Sequence, residues 1–281
     1  MADDRKTADA FADSWNNLPP GSVYSRAQFE EWLAPLTRGE IEGRQVLEMG
    51  CGNGSLLFHM AAWQPAHLEG IDLGASVVSA RQNLALQDNP RWSVEQGDLT
   101  TYRGEPRDFV YSIGVLHHLK APRVGFESVV ANTKPGGRFH CWVYAREGNA
   151  VIRWIVDPIR QLVSHFPWWF TKYCVATPLV VPYFFYAKAI RHFRGTGWLQ
   201  KFPLYDYSLW IAQREFAFFR HVAFDQLVTP QTVYLDRSTV ERWLREHPRV
   251  EPASTYLIFR NGNSWKFGGR VAADSIPSSR V

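Results

Sequence analysis

The chain has 281 residues, 46% of them hydrophobic and 15% aromatic, which is enough for one elaborated α/β domain with a sizeable core. Its three cysteines, Cys51, Cys141 and Cys174, have neither paired nor metal-ligand spacing, so a disulfide framework is not expected and a reducing compartment is. The net charge of +4 is uneven: residues 151–205 hold seven Lys or Arg against the single acid Asp157, a local +6 that leaves −2 for the rest.

The opening segment MADDRKTADAFADSW is polar and acidic and does not read as a signal peptide. Residues 1–40 read as a helical cover, with a Pro-Pro-Gly turn at 19–21. A helix follows in SRAQFEEWLAPL, where Phe29, Trp32, Leu33 and Leu36 recur at helical spacing. Short apolar runs then predict strands at 45–50, 67–72, 91–98, 108–114 and 137–145. Helical patterns alternate with them at 55–63, 75–87 and 124–134, the last closed by a turn at Lys134-Pro135-Gly136-Gly137. Strand–helix alternation predicts parallel pairing in a doubly wound α/β sheet, with a cofactor-binding core over 41–146.

The rhythm breaks over 147–236, which reads as a helical, aromatic-rich insert. Within it, nine of the 22 residues from His165 to Tyr186 are aromatic. The longest near-apolar run, 174–187, is shorter than the roughly 20 residues of a spanning helix and contains Pro178 and Pro182, so a soluble, cytoplasmic protein is expected. A last helix, 238–247, is predicted with Ser238 as its cap and Glu241 completing a capping box. A hairpin turning at Asn261-Gly262-Asn263 ends the core at 271, and a disordered tail is expected over 272–281.

The stretch VLEMGCGNG ends a strand in three alternating glycines, Gly50, Gly52 and Gly54. Glycine there lets backbone approach a ligand where a Cβ would collide, and permits φ > 0 in the turn. The spacing is neither that of the dinucleotide fingerprint nor that of a P-loop. Two acids, Asp72 and Asp98, end the second and third strands, where a carboxylate can accept from ribose hydroxyls. The expected ligand has a ribose and no required pyrophosphate.

These segments, with GIDL, GDL, DFVYSIGVLHHL and KPGGRF, resemble the successive motifs of class I S-adenosylmethionine-dependent methyltransferases over about 45–145. The resemblance implies a seven-stranded, mostly parallel sheet with the insert as lid, and S-adenosyl-L-methionine as cofactor. Gly50, Gly52 and Gly54 would pass beneath its methionine part, and Glu48 would hold that loop or bind the amino group. Asp72 would take the ribose hydroxyls with Leu73 against the adenine. Asp98 would accept from the adenine amine beside Leu99, while Ile113 and Gly114 would line the sulfonium.

His117 and His118 follow the fourth strand, where an acceptor would sit, and are the candidate general bases because histidine titrates near neutrality. The structural alternative for both is packing or substrate lining. For His140, inside a strand, a satisfied core position is expected. Trp15 and Tyr24 either pack the core or close over the ligand, and core packing is the preferred expectation. Arg220, His221, Asp225 and Tyr234 are further acceptor candidates among which nothing local selects. No metal motif appears.

The expected activity is methyl transfer to oxygen or nitrogen of a small, apolar or aromatic acceptor. The alternatives are a peripheral membrane enzyme for a lipid or quinone, and a cofactor-binding protein without turnover. Aromatic and cationic residues such as Trp169, Lys172, Tyr183, Lys188 and Arg191 suit a membrane surface as well as a lid or an oligomer interface. No nucleic-acid-binding module is recognisable.

Overall fold

The computed structural model describes residues 2–16, 19–88, 91–163, 166–229 and 231–273, so the expected tail lies outside them apart from its first two residues. Helices α1 (Ala2–Asn16) and α2 (Arg26–Leu33) precede a seven-stranded sheet. The strands are β1 (Gln45–Met49), β2 (His67–Asp72), β3 (Trp92–Gln96), β4 (Arg107–Ile113), β5 (Thr133–Tyr144), β6 (Tyr256–Arg260) and β7 (Ser264–Arg270). Their order is β3-β2-β1-β4-β5-β7-β6. Pairing is parallel from β3 through β5, whereas β7 runs antiparallel to both β5 and β6. Helices α3 (Ser55–Met60), α4 (Val77–Leu84) and α5 (Pro122–Ala131) connect the parallel strands.

The central strands are buried on both faces, and successive residues therefore serve opposite cores. Leu47, Met49 and Val110 point into a core closed by Phe126 and Val129 of α5 and by Trp243. Val46, Phe109 and Tyr111 point the other way, against Phe29 and Leu33 of α2 and Leu57 of α3. The chain steps outward from β1 to β3 and then returns to β4, so the sheet reverses between β1 and β4. In such sheets that crevice, at the carboxyl ends of the strands, is where ligands bind.

Two local expectations are corrected. Lys134–Gly137 is not a turn before β5 but part of it: Arg107 pairs with Thr133 and Phe109 with Arg138, so the extra residues form a bulge, with Gly136 at φ +74°. The final helix, α10 (Arg237–Glu246), is capped by Asp236, whose carboxylate accepts from Thr239 N at 2.8 Å. Ser238 donates to that same carboxylate, and Glu241 pairs with Arg237. The aspartate two residues earlier is the stronger acceptor for the helix N-terminus.

Among its described residues, the insert's regular elements are helices joined by turns. Its main helices are α6 (Asp157–Val163), α7 (Thr177–His192), α8 (Tyr205–Ile211) and α9 (Phe216–Val228). It leaves the sheet at Ala145 and returns at Leu235, where Arg146 N donates to Leu235 O and Leu235 N to Tyr144 O. A second mooring lies on Glu31 of α2. Its carboxylate accepts from Trp210 Nε1 at 2.8 Å and from Arg260 at 2.7 Å, and its carbonyl accepts from Lys266 Nζ at 2.7 Å.

The expectation that the apolar run is too short to span a membrane is also corrected. A π-helical turn, Thr171–Ala176, continues into α7 through both prolines. The resulting 22-residue helix is long and apolar enough to cross a bilayer by length and composition, with 22% of its most apolar window buried.

His140 is a fully buried ring between β5 and the cover, with Nδ1 against Tyr256 Oη at 2.6 Å and Nε2 against the Trp32 carbonyl at 2.9 Å. Burial lowers its pKa to about 4, from an ordinary 6.5. The unfolded chain therefore binds more protons between those values, and stability falls as pH drops through that window. At saturation the effect is roughly 3 kcal/mol for a shift of this size. Glu48, Asp72 and Asp225, raised by burial, act in the opposite sense when they protonate. The difference between wild type and His140→Gln isolates the ring: the Tm of the variant should fall less steeply between pH 6.5 and 4.

Candidate active site

The glycine loop turns at the carboxyl end of β1. Gly50 has φ +86°, and a Cβ there would lie 2.5 Å from Val115 Cγ2. Only glycine fits, so the backbone passes the β4 end without a side chain. Gly52 and Gly54 also have positive φ, and Gly54 packs on Ala80 of α4. Gly50 N and Cys51 N both donate to Ile71 O, which fixes the loop to the end of β2.

Asp72 closes this loop from the other side. Its Oδ2 accepts from Gly52 N at 2.8 Å, and its Oδ1 from Gly74 N at 2.9 Å and Ser76 Oγ at 3.0 Å. Burial raises its pKa, and these hydrogen bonds oppose the shift. The carboxylate thus locks two turns while lining the cavity beside them. Asp98 lies at the neighbouring strand end, with Oδ1 accepting from Thr100 N at 2.8 Å and from Thr100 Oγ1 at 2.6 Å. Glu48 is buried inside β1 and accepts from Tyr111 Oη at 2.9 Å, and burial raises its pKa well above the usual carboxylate range.

Glu48, Gly50, Gly52, Asp72, Leu73, Asp98, Leu99, Ile113 and Gly114 all line one cavity of about 480 Å³, within the range of small-molecule sites. Gly54 stands behind its wall, at the start of α3. The cavity continues without a break into the insert, reaching Tyr183, Tyr207 and Phe219, and is roofed by Phe11 and Trp15 of α1. Tyr24 and Trp15 meet edge to face, with centroids 5.6 Å apart, and both line the cavity rather than only packing the core.

The two histidines separate. His117 is fully buried, does not line the cavity, and has neither ring nitrogen hydrogen-bonded to protein. Burial, the neighbouring His118 and Arg160 hold its pKa well below the ordinary value. As a proton acceptor for a cavity-bound molecule it is out of place. His118 does line the cavity. Its Nδ1 faces the Gln231 carbonyl at 3.1 Å, which only accepts, so Nδ1 carries the hydrogen and Nε2 keeps a lone pair. Burial lowers its pKa to about 4, leaving it neutral and weakly basic at physiological pH.

The insert supplies a second candidate, a histidine–carboxylate pair. His221 Nε2 and Asp225 Oδ2, one turn apart on α9, are 3.3 Å apart at the cavity wall. Asp225 Oδ1 is buried with no hydrogen-bond partner, and burial raises the carboxyl's pKa against the opposing charges of His221 and Lys172. Trp15 joins this pair to the glycine loop. Its ring lies 5.2 Å from His221, and its Nε1 would be 3.8 Å from a Cβ on Gly52. Tyr234 also lines the cavity and donates to Asp157, whereas Arg220 lies outside it, over the Tyr173 ring.

Residues 47–139 match the family model described as a methyltransferase domain. That stretch is a methyltransferase domain. The chain is 33% identical over 106 residues to phosphoethanolamine N-methyltransferase of Triticum aestivum, covering 37% of this chain and 21% of that one. It is 27% identical over 156 residues to the ubiquinone biosynthesis O-methyltransferase of Coxiella burnetii, covering 54% and 65% respectively. Both matches span less than two thirds of the relative's own length. Magnesium protoporphyrin IX methyltransferase from Synechocystis, solved with bound S-adenosylhomocysteine, shares the fold. It has a TM-score of 0.51 and 14% identity, over 94% of this chain and 84% of that one.

The cofactor of such domains is S-adenosylmethionine, and this cavity fits it. A side-chain-free loop forms one wall, two strand-end carboxylates lie beside it, and Leu73 and Leu99 offer apolar surface next to those carboxylates.

Tyr144, Trp142, Tyr207 and Arg260 also line this cavity, and no motif in the sequence marks them. Trp142 and Tyr144 share a strand face at the end of β5, and that period-two spacing of aromatics was a usable signal.

Proposed function

We propose that the protein methylates oxygen or nitrogen of a small, apolar or aromatic molecule. The observation that carries this reading is the continuity of the cavity from the glycine loop and Asp72 to aromatic walls contributed by the insert. S-Adenosylmethionine supplies a methyl group on a sulfonium centre. Glu48, Asp72 and Asp98 hold the cofactor's polar ends, and the roof of Phe11 and Trp15 keeps water from the acceptor. Tyr144, Tyr183 and Tyr207 orient the acceptor ring by edge and face contacts. The acceptor's O–H or N–H proton passes to the His221–Asp225 pair, whose position and carboxylate partner favour it over His118. The relatives named above, one an N- and one an O-methyltransferase, support both acceptor atoms equally.

The test uses methyl-labelled S-adenosylmethionine and a total lipid and small-molecule extract. Label should move into material extractable by organic solvent. Label confined to precipitable protein or nucleic acid would overturn the acceptor class. Binding of S-adenosylhomocysteine without any transfer of label would instead identify a protein that holds the cofactor without turnover.

A further inference from the structure

We propose that the outer face of the insert docks in the plane of an anionic lipid bilayer, with the cavity mouth opening onto that face. Twelve of the seventeen large apolar side chains that the described residues leave exposed belong to the insert. Trp154 and Leu162 are 78% and 73% exposed and, with exposed Pro158 between them, form one stripe at i, i+4 and i+8. A water-facing helix carries polar residues on that stripe. On the second helix, exposed positions from Tyr173 to Phe185 include Pro178, Val181 and Pro182, and no charge lies between Lys172 and Lys188. Both helices rest their inner sides on α9, where Val163 and Ala176 meet Phe224 and Leu227. Their outer stripes are therefore turned away from the core.

Two residues connect this face to the cavity. Ile155 and Leu179, one on each helix, are exposed by 54% and 38% and also line the cavity. The mouth thus opens between the two apolar stripes. If the proposed acceptor class is right, the acceptor reaches the site from the lipid phase.

Charge selects the occupant. Arg191, Arg194 and Lys201, which follow the apolar run of the second helix in the chain, are exposed, within the segment that carries seven basic residues and one acid. A symmetric pair of copies would set these like charges against each other. Anionic headgroups complement them, and Trp and Tyr favour the headgroup level. The helix lies on the surface rather than crossing it. Val180, Ala187 and Ile190 are buried, and Lys188 Nζ donates to the carbonyls of Ala212 and Arg214 at 2.8 and 3.2 Å. Spanning would require tearing these contacts apart.

Flotation with vesicles tests the proposal on the full chain. The protein should float with equimolar phosphatidylcholine–phosphatidylglycerol vesicles, float less at high salt, and be released by alkaline carbonate. The variant W154S/L162S/F185S, altered only outside the cavity, should lower the floating fraction about tenfold or more while binding S-adenosylhomocysteine as wild type does. A wild-type protein that stays in the aqueous fraction overturns the proposal. So does a variant that floats normally, resistance to carbonate, or a dimer in sedimentation that the variant dissociates. Loss of S-adenosylhomocysteine binding by the wild type would refute the methyltransferase reading and leave the flotation result standing by itself.

Discussion

Asp72→Ala should weaken S-adenosylhomocysteine binding by about 100-fold or more in calorimetry, the size expected when charge-assisted hydrogen bonds of about 1.5–3 kcal/mol each are removed. Two effects combine. The ligand loses a carboxylate acceptor at the β2 end. The protein also loses the acceptor for Gly52 N, Gly74 N and Ser76 Oγ, so the glycine loop is no longer held in its open shape. Asp72→Asn separates the two, because the amide oxygen can still accept from one of these donors. It should restore most of the Tm lost in the alanine variant but little of the affinity. An alanine variant that binds like wild type would remove Asp72 from the cofactor site.

Asp225→Asn should slow methyl transfer by about 10²–10⁴-fold, the usual range for loss of a positioned proton acceptor, with cofactor affinity unchanged. The asparagine keeps the size of the side chain and abolishes the negative charge beside His221. His221→Asn should have a similar effect. The double variant should be no slower than the slower single one, because the two side chains act as a unit at 3.3 Å. Wild-type rates with both single variants would return the role to His118. His118→Asn is the matching control, and if the pair carries the proton its effect should be the smaller one.

Much of the sheet was legible because buried parallel strands read as apolar runs and their ends as Gly or Asp. HLEGID matches β2 residue for residue. Boundaries failed where hydrogen bonding overrode local turn chemistry. Lys134–Gly137 carries a turn sequence yet lies within β5, as a bulge between the Thr133 and Arg138 pairings with β4 that lets the strand continue. The cavity wall proposed for the cofactor was readable as a place, since the loop and Asp72 end strands and Asp98 follows one closely. The acceptor side was not. His221 and Asp225 look like any i, i+4 pair on a helix, and only the fold of the insert over Trp15 brings them to the cavity. His117 shows the converse. Its position after β4 is right, but its ring turns inward to lie 4.0 Å from the Tyr144 ring.

The grip of Glu31 on Trp210, Arg260 and Lys266 has a mechanical outcome. It staples the inner margin of the insert to the cover and the hairpin, so that margin serves as a spine. The opposite margin, bearing Trp154 and Phe185, is the one turned to solvent. On the proposed function, acceptor and methylated product would pass on that side, where Ile155 and Leu179 line the cavity, and the nucleoside would lie on the glycine-loop side.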